Sequence, residues 1–340
     1  MKFEYEVSAL RTKYPFAIAR GGHGKEHAVW VRLTDDDGVT GWGEAAPVQY
    51  YGETKDSVCI ALQVYRASVE AARDPFAVHE IEQACEHDLR GNASARCAIS
   101  TALHDLMGKR LGLPVHSLLG LDPSRSPLTS FTIGLDKLDV VRRKVEEAAE
   151  YPILKIKVGT DQDEEVLTLI RELAPEVRLR VDANTAWHPR QAVQRINQLQ
   201  RFDIEFVEQP VAAHDIDGLR FVREHSPLPI IADESCKTSH DIPRLAGAVD
   251  GINIKLAKCG GISEALRMIH TARAHNLQVM LGCMVESSLG IAAAAQLAPL
   301  VDFADLDGAA LLADDPFAGF SIARGRLHLS GEPGLGVRRR

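Results

Sequence analysis

Two lysines alternate with branched apolar residues in Leu154-Lys155-Ile156-Lys157-Val158-Gly159. A period of two puts both ammonium groups on one face of a strand. Alone, such a pair suits the solvated face of an edge strand. The rest of the chain argues for chemistry instead. Three further strand-like runs end in a carboxylate: Val181-Asp182, Val207-Glu208 and Ala232-Asp233. A fourth, Asn253-Ile254-Lys255, ends in another lysine. A single Asp at a strand end commonly caps the next helix. Three carboxylates on adjacent strand tips converge as oxygen ligands for a hard cation that keeps positions open for water and substrate. Mg²⁺, one per chain, is the expected ion, and Mn²⁺ could replace it. Asn184 and Glu234 follow as outer partners of these ligands or as helix caps.

Lysine becomes a competent base when its pKa falls to about 7–8, which burial and nearby cations can achieve. Lys155 and the metal are cations placed to do this. Bases at Lys157 and Lys255, one on each face of a carbon, permit 1,1-proton transfer and so invert a stereocentre. A carboxylate bound to the metal would stabilise the enediolate. Lys258 is offset by an odd number from Lys255 and is expected to point elsewhere, without a catalytic role. In Phe303-Ala304-Asp305-Leu306-Asp307-Gly308 the two aspartates share a face. They are expected to stand away from the metal-bearing strands and to receive a cation such as a substrate ammonium group.

The elements that must position these residues follow from periodicity. Candidate strands are 128–133, 153–158, 179–183, 205–209, 229–234, 251–256, 278–283 and 303–307, alternating with amphipathic segments. Eight strands at about 25 residues per repeat predict a parallel (β/α) barrel, whose catalytic groups gather at the C-terminal ends of the strands. Strands two and six would then face one another across the mouth. Residues 1–50 read as antiparallel strands at 3–10, 28–34 and 39–44, with Asp35-Asp36-Asp37-Gly38 as a turn. Ile18 to Lys25 is glycine-rich and fits a lid or a long hairpin, but no P-loop register. Gly41-x-Gly43 reads as a turn, not a dinucleotide site. Helices are expected at 57–72, 76–89 and 93–111. The expected division is an α+β N-terminal domain at 1–120, a barrel at 121–308, and a segment at 309–340 that returns to the first domain.

The 340 residues are 45% hydrophobic with a formal charge of -8 and no long basic run, which argues against a nucleic-acid partner. No stretch approaches a membrane span, and residues 1–20 lack the pattern of a secretory signal. Six scattered cysteines without a C-x-x-C pair fit a reduced, cytoplasmic protein, with Cys236 and Cys283 as packing residues. A homo-oligomer is compatible with the sequence, which does not set the oligomeric state.

Lys155-x-Lys157, Asp182, Glu208, Asp233 and Asn253-Ile254-Lys255-Leu256-Ala257-Lys258-Cys259-Gly260-Gly261 together resemble the enolase superfamily, in its muconate-lactonizing-enzyme subgroup. The resemblance covers essentially the whole chain. It implies a (β/α)7β modified TIM barrel with an α+β capping domain, which would account for the missing last helix. Within the subgroup the chain most resembles dipeptide epimerases, including L-Ala-D/L-Glu epimerase. Ile18-Ala19-Arg20-Gly21 and Tyr51-Gly52-Glu53 resemble the two capping loops over the site, and Met280-Leu281-Gly282-Cys283-Met284 resembles a barrel segment of those enzymes. The resemblance implies a small dipeptide substrate whose C-terminal carboxylate binds the metal and whose α-ammonium binds Asp305 and Asp307. Lys157 and Lys255 would exchange the α-proton while Lys155 assists electrostatically.

Arg20, Tyr51 and Met284 are the expected contacts to the variable part of the substrate. Arg20 matches an arginine that meets the glutamate side chain in Ala-Glu epimerases, so Ala-Glu, from murein-peptide metabolism, is the leading expectation. Glu286, near the seventh strand tip, would disfavour an acidic side chain or welcome a basic one, or else is a solvated loop residue. Competing readings are o-succinylbenzoate synthase, N-succinylamino acid racemase and muconate cycloisomerase, whose substrates lack a free ammonium for Asp305 and Asp307 to hold. A metal-binding barrel without turnover is the non-enzymatic alternative.

Overall fold

The computed structural model describes residues 1–340 apart from Arg20, Arg73 and the side chains of residues 22–25. The chain opens with β1 (Lys2–Ile18), β2 (Gly21–Thr34) and β3 (Thr40–Ala45), an antiparallel sheet in the order 1-2-3. Alternate residues Phe3, Val29, Val31 and Leu33 turn inward against α1 (Lys55–Ala71), α2 (Val78–Asp88) and α3 (Ala93–Leu111), through Leu62, Tyr65, Ile99 and Leu106. Thr54 and Ser57 form a capping box that starts α1. Gly112, in the left-handed conformation, ends α3.

Apart from Arg20, the glycine-rich stretch belongs to the long antiparallel pairing of β1 with β2. Pairing slips between Arg11 and Phe16 and then continues to Ile18↔Gly21. Gly41 and Gly43 lie inside β3 and form no turn. Their glycine character comes from close packing: a Cβ on Gly43 would lie 2.7 Å from the backbone nitrogen of Ala102, and one on Gly41 2.7 Å from that of Leu106. Period-two reading could not show that the strand face presses on a helix backbone. Gly43→Ala is therefore expected to cost at least the ~1–3 kcal/mol of an overpacked core, read as a lowered urea midpoint. An unchanged midpoint would mean that α3 can give way.

After α4 (Val115–Leu118) the alternation begins. The strands are β4 (Phe131–Ile133), β5 (Ile153–Lys157), β6 (Arg178–Asp182), β7 (Ile204–Glu208), β8 (Ile230–Ala232), β9 (Gly251–Lys255), β10 (Gln278–Gly282) and β11 (Phe303–Asp305). Between them run α5 (Leu138–Glu147), α6 (Asp163–Leu173), α7 (Pro189–Leu199), α8 (Ile216–His225), α9 (Ile242–Leu245), α10 (Leu256–Cys259), α11 (Ile262–Ala274) and α12 (Ser288–Ala295). The eight strands are parallel and lie in sequence order, and a Thr129↔Ala304 bridge closes the ring. Among the described residues no α-helix follows β11. All eight strands fall where the periodicity placed them, with ends differing by up to three residues.

One layer below the strand tips, the Arg180 guanidinium lies 5.2 Å from the ring centre of Phe206 and 5.1 Å from that of Phe303. It donates to Glu205 (2.7 Å) and to the Ala304 carbonyl (2.9 Å). The barrel is thus plugged inside, as side-chain layers require, and chemistry is confined to the mouth. The last residues return along both units. Ala313 N donates to Arg11 O at 2.8 Å, and Phe317 meets Trp30 edge-on at 5.1 Å. Leu335 N donates to the buried Asp105 carboxylate at 2.8 Å, which also accepts from Trp42 N at 2.8 Å. No described helix is long and apolar enough to cross a membrane.

Candidate active site

Strand register brings the chemistry into one layer. Lys157 pairs with Asp182, and Asp182 with Glu208, across β5, β6 and β7. Lys255 pairs with Gly282, and Gly282 with Asp305, across β9, β10 and β11. Asp182, Glu208 and Asp233 each present a carboxylate oxygen, all within 4.8 Å of one another, and all three are buried. Each Glu208 oxygen has its own surroundings. Oε1 accepts from Asn253 Nδ2 at 2.8 Å, whereas Oε2 is buried and faces the Lys155 ammonium at 2.8 Å. Gly282 leaves room for that contact, since a Cβ there would lie 2.6 Å from Asn253 Oδ1. Three buried carboxylate oxygens this close together fit a hard divalent cation.

The lysines surround this trio. Lys155 Nζ lies 2.8 Å from Glu208 Oε2, 2.8 Å from Asp305 Oδ2 and 3.2 Å from Asp182 Oδ2. Lys157 Nζ is 2.7 Å from Asp182 Oδ2, and Lys255 Nζ is 2.9 Å from Asp233 Oδ2. Burial opposes the charge on Lys255, but Asp233 outweighs it and holds the ammonium above its ordinary range. Lys155 is likewise held well above, with burial outweighed by Asp305 and Glu208. Around Lys255 the carboxylates Asp233, Glu208 and Asp182 thus outweigh the Lys155 cation, which by itself would lower it. Burial also opposes ionisation of Asp182 and Asp233, yet Lys157 keeps the first carboxyl low and Lys255 the second. Glu208, pushed up by burial and then by Asp182, sits at about 7.

Asp305 and Asp307 are both buried at the same mouth. Asp305 does not stand apart from the metal-bearing strands as expected, because Lys155 bridges it to Asp182 and Glu208. Its other oxygen accepts from Ser130 Oγ at 2.6 Å. Asp307 accepts from Thr132 N at 2.6 Å, and burial, then Asp305, push it up to about 7. A cavity of about 810 Å³ connects Lys155, Lys157, Lys255, Asp305 and Asp307 with Phe16 and Ile18 of the hairpin and with Tyr51 and Met284. Tyr50 and Tyr51 meet edge-on at 5.2 Å. Arg20 lies outside the described residues.

Other expectations change. Lys258 does not point away. It sits on α10, where strand parity no longer applies, and its Nζ reaches Asp233 Oδ1 (2.6 Å), Asp233 O (2.6 Å) and Asn253 O (2.9 Å). Glu286 is buried instead of solvated, and its Oε1 accepts from Met284 N at 2.7 Å. Asn184 links two carboxylates: its N donates to Asp182 Oδ1 at 2.9 Å, and its Nδ2 to Glu234 Oε1 at 3.2 Å. Cys283 is on the cavity wall with its Sγ 3.2 Å from Asp305 O, and burial pushes its thiol up, so it carries no activated thiolate. Gln209 escaped the sequence reading. Its buried amide accepts from Asp233 N (2.9 Å) and Ser235 N (3.1 Å), stitching two strand tips together. Asn253 could have been found, since it shares a strand face with Lys255.

Residues 3–120 match the mandelate racemase / muconate lactonizing enzyme N-terminal domain, and residues 139–340 match the enolase C-terminal domain-like family. The chain belongs to the enolase superfamily. Enolase-superfamily relatives resemble it along nearly its whole length. The L-Ala-D/L-Glu epimerase of Bacteroides thetaiotaomicron is 40% identical over 339 residues, covering 99% of this chain and 88% of that protein. A hydrophobic dipeptide epimerase of Flavobacteria bacterium (strain MS024-2A) is 38% identical, covering 96% and 94%. The Enterococcus faecalis V583 dipeptide epimerase, solved with Mg and the dipeptide L-Leu-L-Tyr, superposes with a TM-score of 0.93 at 34% identity, covering 99% of each chain.

Proposed function

We propose that this enzyme is an isomerase, a dipeptide epimerase that inverts the α-carbon of the C-terminal residue by 1,1-proton transfer. The observation that carries this reading is one cavity bordered by lysines from opposite barrel walls, with the carboxylate trio and two buried aspartates at the same mouth. Asp182, Glu208 and Asp233 would hold Mg²⁺. When bound, the cation polarises the substrate carboxylate and draws on the carboxylate charge that otherwise holds the proton on Lys255.

The protein's own steps follow. One of Lys157 and Lys255, as the neutral amine, takes the α-proton, and the electron pair moves into the substrate carboxylate to give an enediolate. The other, as the ammonium, returns a proton to the opposite face. Exchange with water resets the pair. Lys155, buried among three carboxylates, stays cationic and lowers the cost of the developing charge. Asp305 is shared with Lys155, so the substrate ammonium is received chiefly by Asp307. In this reading residues 1–120, with 309–340, cap the barrel of residues 121–308, and the site works in the cytoplasm, consistent with unpaired thiols at all six cysteines.

Two substrate classes remain in play within the dipeptides. Ala-Glu rests on Arg20 and on the Bacteroides relative. An apolar C-terminal residue is favoured by the cavity wall, where Phe16, Ile18, Tyr51, Met284 and Leu311 are aromatic or apolar. The test is incubation with Mg²⁺ and dipeptide libraries in D₂O, read by mass spectrometry. A one-unit gain confined to dipeptides is expected, and the labelled side chains identify the class. No gain in any pool from folded, metal-loaded protein would refute the epimerase reading and bring o-succinylbenzoate synthesis or N-succinylamino acid racemisation forward.

A further inference from the structure

The segment from Cys283 to Ser288 joins β10 to α12, and its first three residues line the cavity. Its backbone is held by carboxylates from three separate stretches of chain. Glu286 turns back so that its Oε1 accepts from Met284 N at 2.7 Å. Glu44, at the end of β3 in the N-terminal sheet, accepts from Ser287 N at 2.8 Å and binds the Ser287 hydroxyl as well. Asp315, beyond the barrel, accepts from Ser288 N at 3.2 Å and binds the Ser288 hydroxyl. Two of these three carboxylates meet the first turn of α12, where the helix dipole favours negative charge.

Glu44 has no other evident task. It is 2% exposed and does not line the cavity. Its remaining oxygen contact is Trp30 Nε1 at 3.0 Å, on its own sheet. A buried carboxylate is a costly way to pack a strand end, and an apolar residue would serve stability as well. What a carboxylate supplies is directed acceptance of two donors across the seam between sheet and barrel. The segment it grips has little room to yield. A Cβ on Gly308 would lie 3.2 Å from Cys283 Sγ, and one on Gly290 would lie 3.2 Å from Glu286 Cβ. A shift at Ser287 is therefore passed on to Met284 and Val285.

We propose that Glu44 is a positioning residue that fixes the cavity-lining segment 283–285 through Ser287 and so governs which substrate side chain the site accepts. Burial pushes Glu44 up to about 8, with Glu286 the next cause, and Glu286 itself to about 7, so the seam holds a proton near neutrality. The specificity consequence rests on the epimerase reading, whereas the positioning itself does not. The test compares wild type, Glu44→Ala, Glu44→Gln, Ser287→Ala and the Glu44→Ala/Ser287→Ala double variant.

In the dipeptide exchange assay Glu44→Ala should raise KM about tenfold or more and reorder the side-chain preference. The kcat on dipeptides still accepted should change less than about threefold. Glu44→Gln keeps an acceptor for Ser287 N and should restore most of the wild-type profile. The double variant should be no worse than Glu44→Ala, because the hydroxyl contact that Ser287→Ala removes is already lost in Glu44→Ala. Unchanged KM and preference, or a lowered Tm alone, would overturn the proposal. Wild-type protein that labels no dipeptide would refute the epimerase reading instead. In that case hydrogen-exchange mass spectrometry decides the positioning: amides 283–289 should exchange faster in Glu44→Ala, and unchanged protection would overturn it. If Glu44→Ala does not fold, Ser287→Ala carries the same comparison.

Discussion

Lys157→Ala and Lys255→Ala will each abolish epimerisation yet leave α-proton exchange in one epimer only, and the two variants will spare opposite epimers. The two lysines come from strands four apart in an eight-stranded ring, so in the proposed reaction they would approach the α-carbon from opposite sides. Inversion needs both. Proton exchange with solvent on one face needs only the lysine on that face, whose ammonium mixes its protons with water. A positioned acid or base contributes about 10²–10⁴-fold, so the loss in epimerisation should reach that range. Separate incubation of each epimer in D₂O, followed by chiral separation, gives the answer. Equal loss of exchange from both epimers in both variants would show that the lysines act as a structural pair and not as two bases.

Glu208→Gln will remove Mg²⁺-dependent turnover while the barrel stays folded. Asn253 orients one Glu208 oxygen at 2.8 Å, and the other is buried beside the Lys155 ammonium at 2.8 Å. The substitution keeps the volume and removes the charge. Losing an outer partner of a metal ligand costs about 10–100-fold in affinity or activity, and loss of a ligand should exceed that. Calorimetric titration with Mg²⁺ measures affinity, and far-ultraviolet circular dichroism reports the fold. In wild type, EDTA should abolish exchange and added Mg²⁺ or Mn²⁺ should restore it. Wild-type affinity in the variant would remove Glu208 from the ligand set.

Strand tips were the legible part of this protein. Asp182, Glu208, Asp233 and Lys255 each end an apolar run, and parity alone brings Lys155 and Lys157 to one face. Repeat spacing then implied the ring. What parity could not reach lies just past the strands. Lys258 folds back from a helical turn, where alternation stops, to meet Asp233. Glu286 looks like an ordinary loop acid, yet it is buried, with its side chain packed at Gly290 of α12. Gly41 and Gly43 show the same limit, since their reason lies in helix α3.

The contact between Leu335 and Asp105 joins residues 230 positions apart. Chains grow from the N-terminus, at about 5–20 residues per second, and domains fold as they emerge. The sheet and its helices are thus synthesised first, with a buried carboxylate awaiting an amide made only after the entire barrel. For the intervening seconds Asp105 has Trp42 and Lys109 as donors and lacks its third. Final docking of the two halves is consequently a late event in the life of each nascent chain, and slowed elongation in the barrel would lengthen the interval in which the exposed seam meets chaperones.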